Sequence, residues 1–289
     1  MNLDPRISFG YADVGEVKLH YATAGNGEKL VLLLHGFPEF WYSWRHQLLA
    51  LGDTYTVVAP DLRGYNLSDK PQDVGSYTVE KLVGDVAGLI RHFGRQNAAV
   101  IGHDWGAAVA WVFARRHPEL TSKLASLQVA PPDVWKRNIT AGQILASWYM
   151  FFFQLPWLPE WVARRRDFAM LERALRRTTA RPVFSDDDIG AYKDSWRQPG
   201  SLTGPINYYR ANVLGRLFGG QNSSEARITC PTLFIYGEKD HAILPATVRG
   251  VGSAVSGPYS EHRIPASAHW VQQEAAEKVT QALRDFLAE

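Results

Sequence analysis

Uninterrupted apolar runs alternate along the chain with stretches whose apolar positions recur every three or four residues. Leu30-Val31-Leu32-Leu33-Leu34 closes at Gly36, Thr56-Val57-Val58-Ala59 at Pro60, and Ala98-Ala99-Val100-Ile101 at Gly102. Each has the pattern of a strand covered on both faces. Ala125 to Val129 is a fourth run, ended by Pro131-Pro132. Between the second and third runs, Val79, Leu82, Val83, Val86, Leu89, Ile90 and Phe93 repeat at helical spacing, with Thr78 placed to cap the start and Gly94 the end. This alternation predicts parallel βαβ units and an α/β sheet. Upstream, Val17, Leu19 and Tyr21 alternate with Lys18 and His20, which predicts an antiparallel edge strand. Strand signals return at Thr232-Leu233-Phe234-Ile235-Tyr236 and from Tyr259 to Ile264. Ala275, Ala276, Val279, Leu283, Phe286 and Leu287 then mark a closing amphipathic helix. From Val134 to Arg216 no buried-strand run occurs, while aromatics and arginines are dense. The expected organisation is an α/β core in two parts, residues 1–133 and 217–289, split by a helical cap at 134–216.

Composition narrows the class. Of 289 residues 46 % are hydrophobic and the net charge is +2, which excludes a disordered chain and gives no basis for nucleic-acid binding. Cys230 stands alone, so no internal disulfide and no CxxC-type metal site is available. Met1 to Gly10 lacks the apolar core of an export signal. The most apolar stretch, Trp148 to Trp161, is short and broken by Pro156 and Pro159, so no membrane span is expected and the protein is read as cytoplasmic. Arg164-Arg165-Arg166 with Arg173, Arg176, Arg177 and Arg181 are interleaved with Leu158, Trp161, Val162, Phe168 and Leu171, the pattern of a solvated helix face.

The chemistry concentrates at Gly102-His103-Asp104-Trp105-Gly106, between a buried strand and the Ala-rich segment from Ala107 to Arg116. That is the strand-to-helix context of a nucleophile elbow, with Asp in place of Ser. An aspartate is ionised at neutral pH and needs no base to activate it. It suits displacement at a saturated carbon, leaving an ester on the protein. The plainer alternative is that Asp104 caps the helix that follows. Asp240 follows directly on the run ending at Tyr236 and Gly237, and His269 lies in a loop before the last helix, so the order Asp104, Asp240, His269 is nucleophile, acid, histidine. Asp133, just after the fourth run, competes with Asp240 as the acid.

His35-Gly36-Phe37-Pro38-Glu39, followed by Trp41-Tyr42-Ser43-Trp44-Arg45, resembles the H-G-F-P segment of epoxide hydrolases in the α/β-hydrolase superfamily. Asp61-Leu62-Arg63-Gly64-Tyr65-Asn66-Leu67-Ser68 is similar to the family's D-x-R-G-Y-G-x-S loop, with Asn66 in place of Gly. The resemblance implies a mostly parallel sheet flanked by helices, an inserted cap and no cofactor or metal. It implies oxyanion donors at the backbone N–H groups of Phe37 and Trp105, and Pro38 is a candidate for a cis peptide. In the cap, Tyr149 lies in a segment resembling the one that carries the first acid tyrosine of the family. Tyr209, rather than Tyr208, occupies the matching position for the second. The implied substrates are an apolar epoxide and water, giving a vicinal diol; a homodimer is left open. Haloalkane dehalogenases share the aspartate nucleophile and form the alternative, but they often carry Asn where Phe37 stands. Fluoroacetate dehalogenases carry arginines at the positions of Trp105 and Ala108. A receptor built on the same fold without catalysis is the remaining alternative.

Overall fold

The computed structural model describes residues 3–218 and 226–289, with residues 213–218 as backbone alone. Eight strands form one sheet: β1 (Ser8–Asp13), β2 (Lys18–Ala24), β3 (Leu30–Leu34), β4 (Thr56–Pro60), β5 (Ala98–His103), β6 (Thr121–Leu127), β7 (Thr232–Gly237) and β8 (Tyr259–Ile264). Their order across the sheet is β1-β2-β4-β3-β5-β6-β7-β8. The first two pairings, β1 with β2 and β2 with β4, are antiparallel, and from β4 onward every pairing is parallel. The continuous apolar runs became the central strands: β3, β5 and β7 are buried at every position. Such strands have no solvent face and therefore need no polar alternation.

The alternation around Leu19 belongs to β2, which lies inside the edge rather than at it. β1 pairs outside it, from Ser8 opposite Thr23 to Asp13 opposite Lys18. Nothing in the apolar pattern announced β1, because Phe9 and Tyr11 face solvent while Ala12 is its one buried residue. His20 is buried, with Nδ1 2.7 Å from Asp61 Oδ2, so its polarity serves a hydrogen bond and not a solvent face.

Helices α1 (Arg45–Gly52), α2 (Val79–His92) and α3 (Trp105–Arg116) follow strands of the first half. Among the described residues, six helices stand between β6 and β7: α4 (Pro132–Asn138), α5 (Ala141–Ala146), α6 (Trp148–Phe152), α7 (Leu158–Arg177), α8 (Asp186–Arg197) and α9 (Thr203–Phe218). The short α10 (Val271–Glu274) and α11 (Ala276–Ala288) close the chain. Packing of α2 with α3 covers one face of the sheet, and α1 with α11 the other.

Thr78 stands at the N-cap of α2, yet its side chain makes no capping bond. Asn212 of α9 accepts from the Val79 N–H instead, at 2.9 Å. A residue 133 positions away thus satisfies one of the first N–H groups of α2, which have no helical partner. The same helix is tied down by Tyr208, whose hydroxyl donates to Arg63 O at 2.9 Å. Further along, Trp196 Nε1 of α8 donates to Pro38 O at 2.7 Å, so the cap rests on the loop that follows β3. Helix α7 carries a left-handed break at Arg166, Asp167 and Phe168.

Candidate active site

The parallel strands bring their C-terminal ends to one rim, the usual ligand edge of such sheets. β5 ends at His103 and α3 starts at Trp105, so the chain reverses within a single residue. That residue is Asp104, with φ 52° and ψ −118°, a conformation unfavourable for an L-side chain. The turn closes only because its flanks lack Cβ atoms. A Cβ on Gly102 would come within 2.3 Å of Gly106 O, and one on Gly106 within 2.1 Å of Leu34 O. The Asp104 carboxylate makes no capping bond to α3. Its Oδ1 accepts from the Phe37 backbone N–H at 2.8 Å, which sets aside the helix-cap alternative. The Phe37–Pro38 peptide is cis.

His269 Nδ1 lies 2.8 Å from Asp240 Oδ2, and Nε2 lies 3.9 Å from Asp104 Oδ2. Asp240 is buried, and its Oδ1 accepts from the N–H groups of Ala242 at 2.7 Å and Ile243 at 2.9 Å. Of Asp240 and Asp133, only Asp240 is in contact with His269. Asp133 sits at the start of α4 and accepts from Arg115 at 2.6 Å, whereas Asp240 is the acid at the imidazole.

Burial works against a charged imidazole, but the carboxylates of Asp240, Asp104 and Glu39 outweigh it and push His269 up to about 9.

Tyr149 and Tyr209 line a cavity of about 250 Å³ together with Phe37, Asp104 and His269. Their rings lie 5.8 Å apart. Burial, reinforced by the nearby Asp104 charge, holds both hydroxyls well above the ordinary tyrosine range, so they stay protonated. Tyr208, the neighbour passed over, spends its hydroxyl on Arg63 O and is absent from the cavity lining. The remaining wall is mostly apolar, including Trp148, Phe152, Phe153 and Met170. Trp105 is buried at the N-terminus of α3.

Three supporting residues escaped the sequence reading. Gln128, at φ 71° beyond β6, donates to Asp240 Oδ2 at 2.9 Å and to Ala268 O at 2.7 Å, and accepts from Gly237 N–H at 2.6 Å. Its amide fastens the acid loop to the histidine loop. Glu39 is fully buried with Oε2 3.0 Å from His103 Nδ1, and His103 Nε2 lies 2.9 Å from His269 O. Glu39 and His103 sat inside quoted motifs, but no spacing reveals that they meet. Among the described residues, no cluster of three His, Cys, Asp or Glu is placed to hold a metal ion.

A family model for the alpha/beta hydrolase fold matches residues 29–276. The chain is 37 % identical to epoxide hydrolase 3 of Mus musculus, over 98 % of this chain and 77 % of the mouse protein. It is 38 % identical to epoxide hydrolase 1 of Caenorhabditis elegans, over 96 % and 69 % respectively. Among solved structures, a Bacillus megaterium epoxide hydrolase in complex with an inhibitor superposes with a TM-score of 0.88 at 32 % identity, covering 97 % of this chain and all of that one. A variant of Vigna radiata epoxide hydrolase gives 0.84 at 30 % identity, with 99 % of each chain covered.

Proposed function

The chain belongs to the epoxide hydrolases of the α/β-hydrolase fold family, and from that premise we propose how its own residues convert an epoxide to a vicinal diol. Asp104 Oδ1 is occupied by the Phe37 N–H, which leaves Oδ2 to attack a ring carbon of an epoxide lying between cap and core. The carbon–oxygen bond breaks as the ester bond forms. The departing oxygen takes a proton from Tyr209 or Tyr149, leaving a hydroxyalkyl ester and a tyrosinate. A halide would need no such proton.

Esterification removes the Asp104 charge, one of the carboxylates that hold His269 protonated. Neutral imidazole thus becomes easier to reach only after the first step, when the proton that His269 carries at rest passes through solvent to the tyrosinate. His269 Nε2 then takes a proton from water, whose oxygen attacks the ester carbonyl carbon. The developing oxyanion forms on Oδ1, at the Phe37 N–H and beside the Trp105 N–H. Asp240 keeps the Nδ1 proton in place and stabilises the imidazolium. Collapse expels the diol oxygen, which recovers the proton from His269. The Asp104 carboxylic acid passes its own proton through solvent to His269, which restores the resting imidazolium, so epoxide and water balance the diol.

The observation that carries this reading is the division of the Asp104 carboxylate. One oxygen is held by a backbone donor and the other faces His269, in a cavity that two protonated tyrosines share. The apolar wall fits an apolar or aromatic epoxide. A Bacillus megaterium relative has been solved with a naphthyloxy-propane-diol product, which supports the same substrate class. Purified protein is incubated with aryl and alkyl epoxides and matched bromoalkanes, with Asp104→Ala as the blank. Diol without bromide is expected; bromide without diol would make the chain a dehalogenase and reduce both tyrosines to cavity lining.

A further inference from the structure

The described residues include eleven large hydrophobic side chains that are exposed, and seven of them fall between Ile144 and Trp161. Elsewhere they are scattered. Leu145, Trp148, Phe151, Leu155, Trp157 and Trp161 form most of the group, with Leu145 75 %, Trp157 70 % and Trp148 60 % exposed. Concentrated exposure of this kind marks an interaction surface, where isolated exposed residues would not. Trp148 also lines the active-site cavity, so that cavity borders the apolar surface.

Charge accompanies the patch. The acidic groups of α7 are all committed: Glu160 to Arg210, Asp167 to Lys193 and Arg197, and Glu172 to Arg176 and Lys193. Arg164, Arg165, Arg166, Arg173 and Arg177 are exposed, and among the described residues none has a carboxylate within ion-pair distance. Arg165 instead lies over the Trp161 ring at 4.5 Å, which sets one of these arginines directly against an exposed tryptophan.

We propose that this cap face docks on the surface of an anionic phospholipid bilayer, with the tryptophans in the headgroup boundary and the arginines on the lipid phosphates. Exposed Trp beside Arg on a surface helix is the chemistry of an interfacial, non-spanning contact. No described helix is long and apolar enough to cross a membrane, so the contact is peripheral. A second copy fits less well, because a two-fold interface over this face brings two unneutralised arginine rows together. Docking rests on the surface alone. Its consequence, that lipophilic epoxides reach the cavity from the bilayer, rests on the function proposed above.

The full chain is sedimented with vesicles of phosphatidylcholine alone and of an equal mixture with phosphatidylglycerol. Binding to the anionic vesicles is expected to be about tenfold or more stronger and to weaken with added salt. Trp157→Ser/Trp161→Ser and Arg164→Glu/Arg165→Glu should each lose it while keeping turnover of a water-soluble epoxide without vesicles; that turnover also reports folding. Sedimentation needs no catalysis, so it fails independently of the hydrolase reading. Equal binding to both vesicle types, or none to either, overturns the proposal. A dimer in solution that the tryptophan variant dissociates overturns it in favour of a second copy.

Discussion

The residues at the sheet rim and those facing them from the cap are held by different forces. Asp240 is fixed by two backbone N–H groups, the Gln128 amide and the His269 ring, and Asp104 by a turn that only Gly102 and Gly106 permit. Tyr209 is packed among rings, with Phe153 at 5.0 Å, Trp105 at 5.2 Å and Phe37 at 5.5 Å, and its hydroxyl also shares hydrogen bonds with Tyr149 and Trp105. Hydrogen bonds to backbone fix an atom's direction to within a few tenths of an ångström, whereas ring packing tolerates volume-conserving exchange. The rim therefore holds its groups mainly by directed bonds, and the facing helices hold theirs mainly by packing.

If that division holds, the largest effect belongs to the nucleophile. Asp104→Ala should lower diol release by about 10⁴-fold or more, with no covalent adduct in the intact mass. Next, His269→Gln should slow steady-state turnover by about 10³-fold while the protein gains the mass of one substrate, because only ester hydrolysis needs the base. An unmodified mass in that variant would place the histidine in the first step and break the comparison. Tyr209→Phe should slow alkylation by about 10²-fold in single-turnover measurements and leave decay of the ester unchanged. Phe152→Ala, which alters only the apolar wall, should raise KM several-fold with little change in kcat, as expected when binding is lost equally from ground and transition states.

A pH series sharpens the same contrast. In the free protein His269 is held near 9, so the resting imidazole is protonated at neutral pH. Decay of the isolated ester should rise with pH and level off at a lower pKa than the free protein shows, since the ester has removed one carboxylate charge. For stability the sign is opposite. A pKa raised above the ordinary 6.5 contributes stability in full below 6.5, and loses it as pH rises through about 9. Melting curves of the protein and of Asp240→Asn should converge across that window.

Much of this arrangement was legible before any coordinates. Buried strands announce themselves as unbroken apolar runs, and β3, β5 and β7 did so, as did the helical period of α2. The order of Asp104, Asp240 and His269 placed three reactive groups at chain reversals. β1 left no such mark, because an edge strand with one buried residue has little apolar pattern to show.

By itself the sequence determined the strand-and-helix alternation, the glycine-flanked turn around Asp104 and the family motifs, all of which are written in neighbouring residues. Only the tertiary structure put Asp240 rather than Asp133 at the imidazole, tied the Tyr208 hydroxyl to Arg63, and joined Glu39, His103 and Gln128 to the histidine loop. Those outcomes depend on which side chains meet across 18 to 166 residues of chain, a matter of packing geometry that no local period encodes.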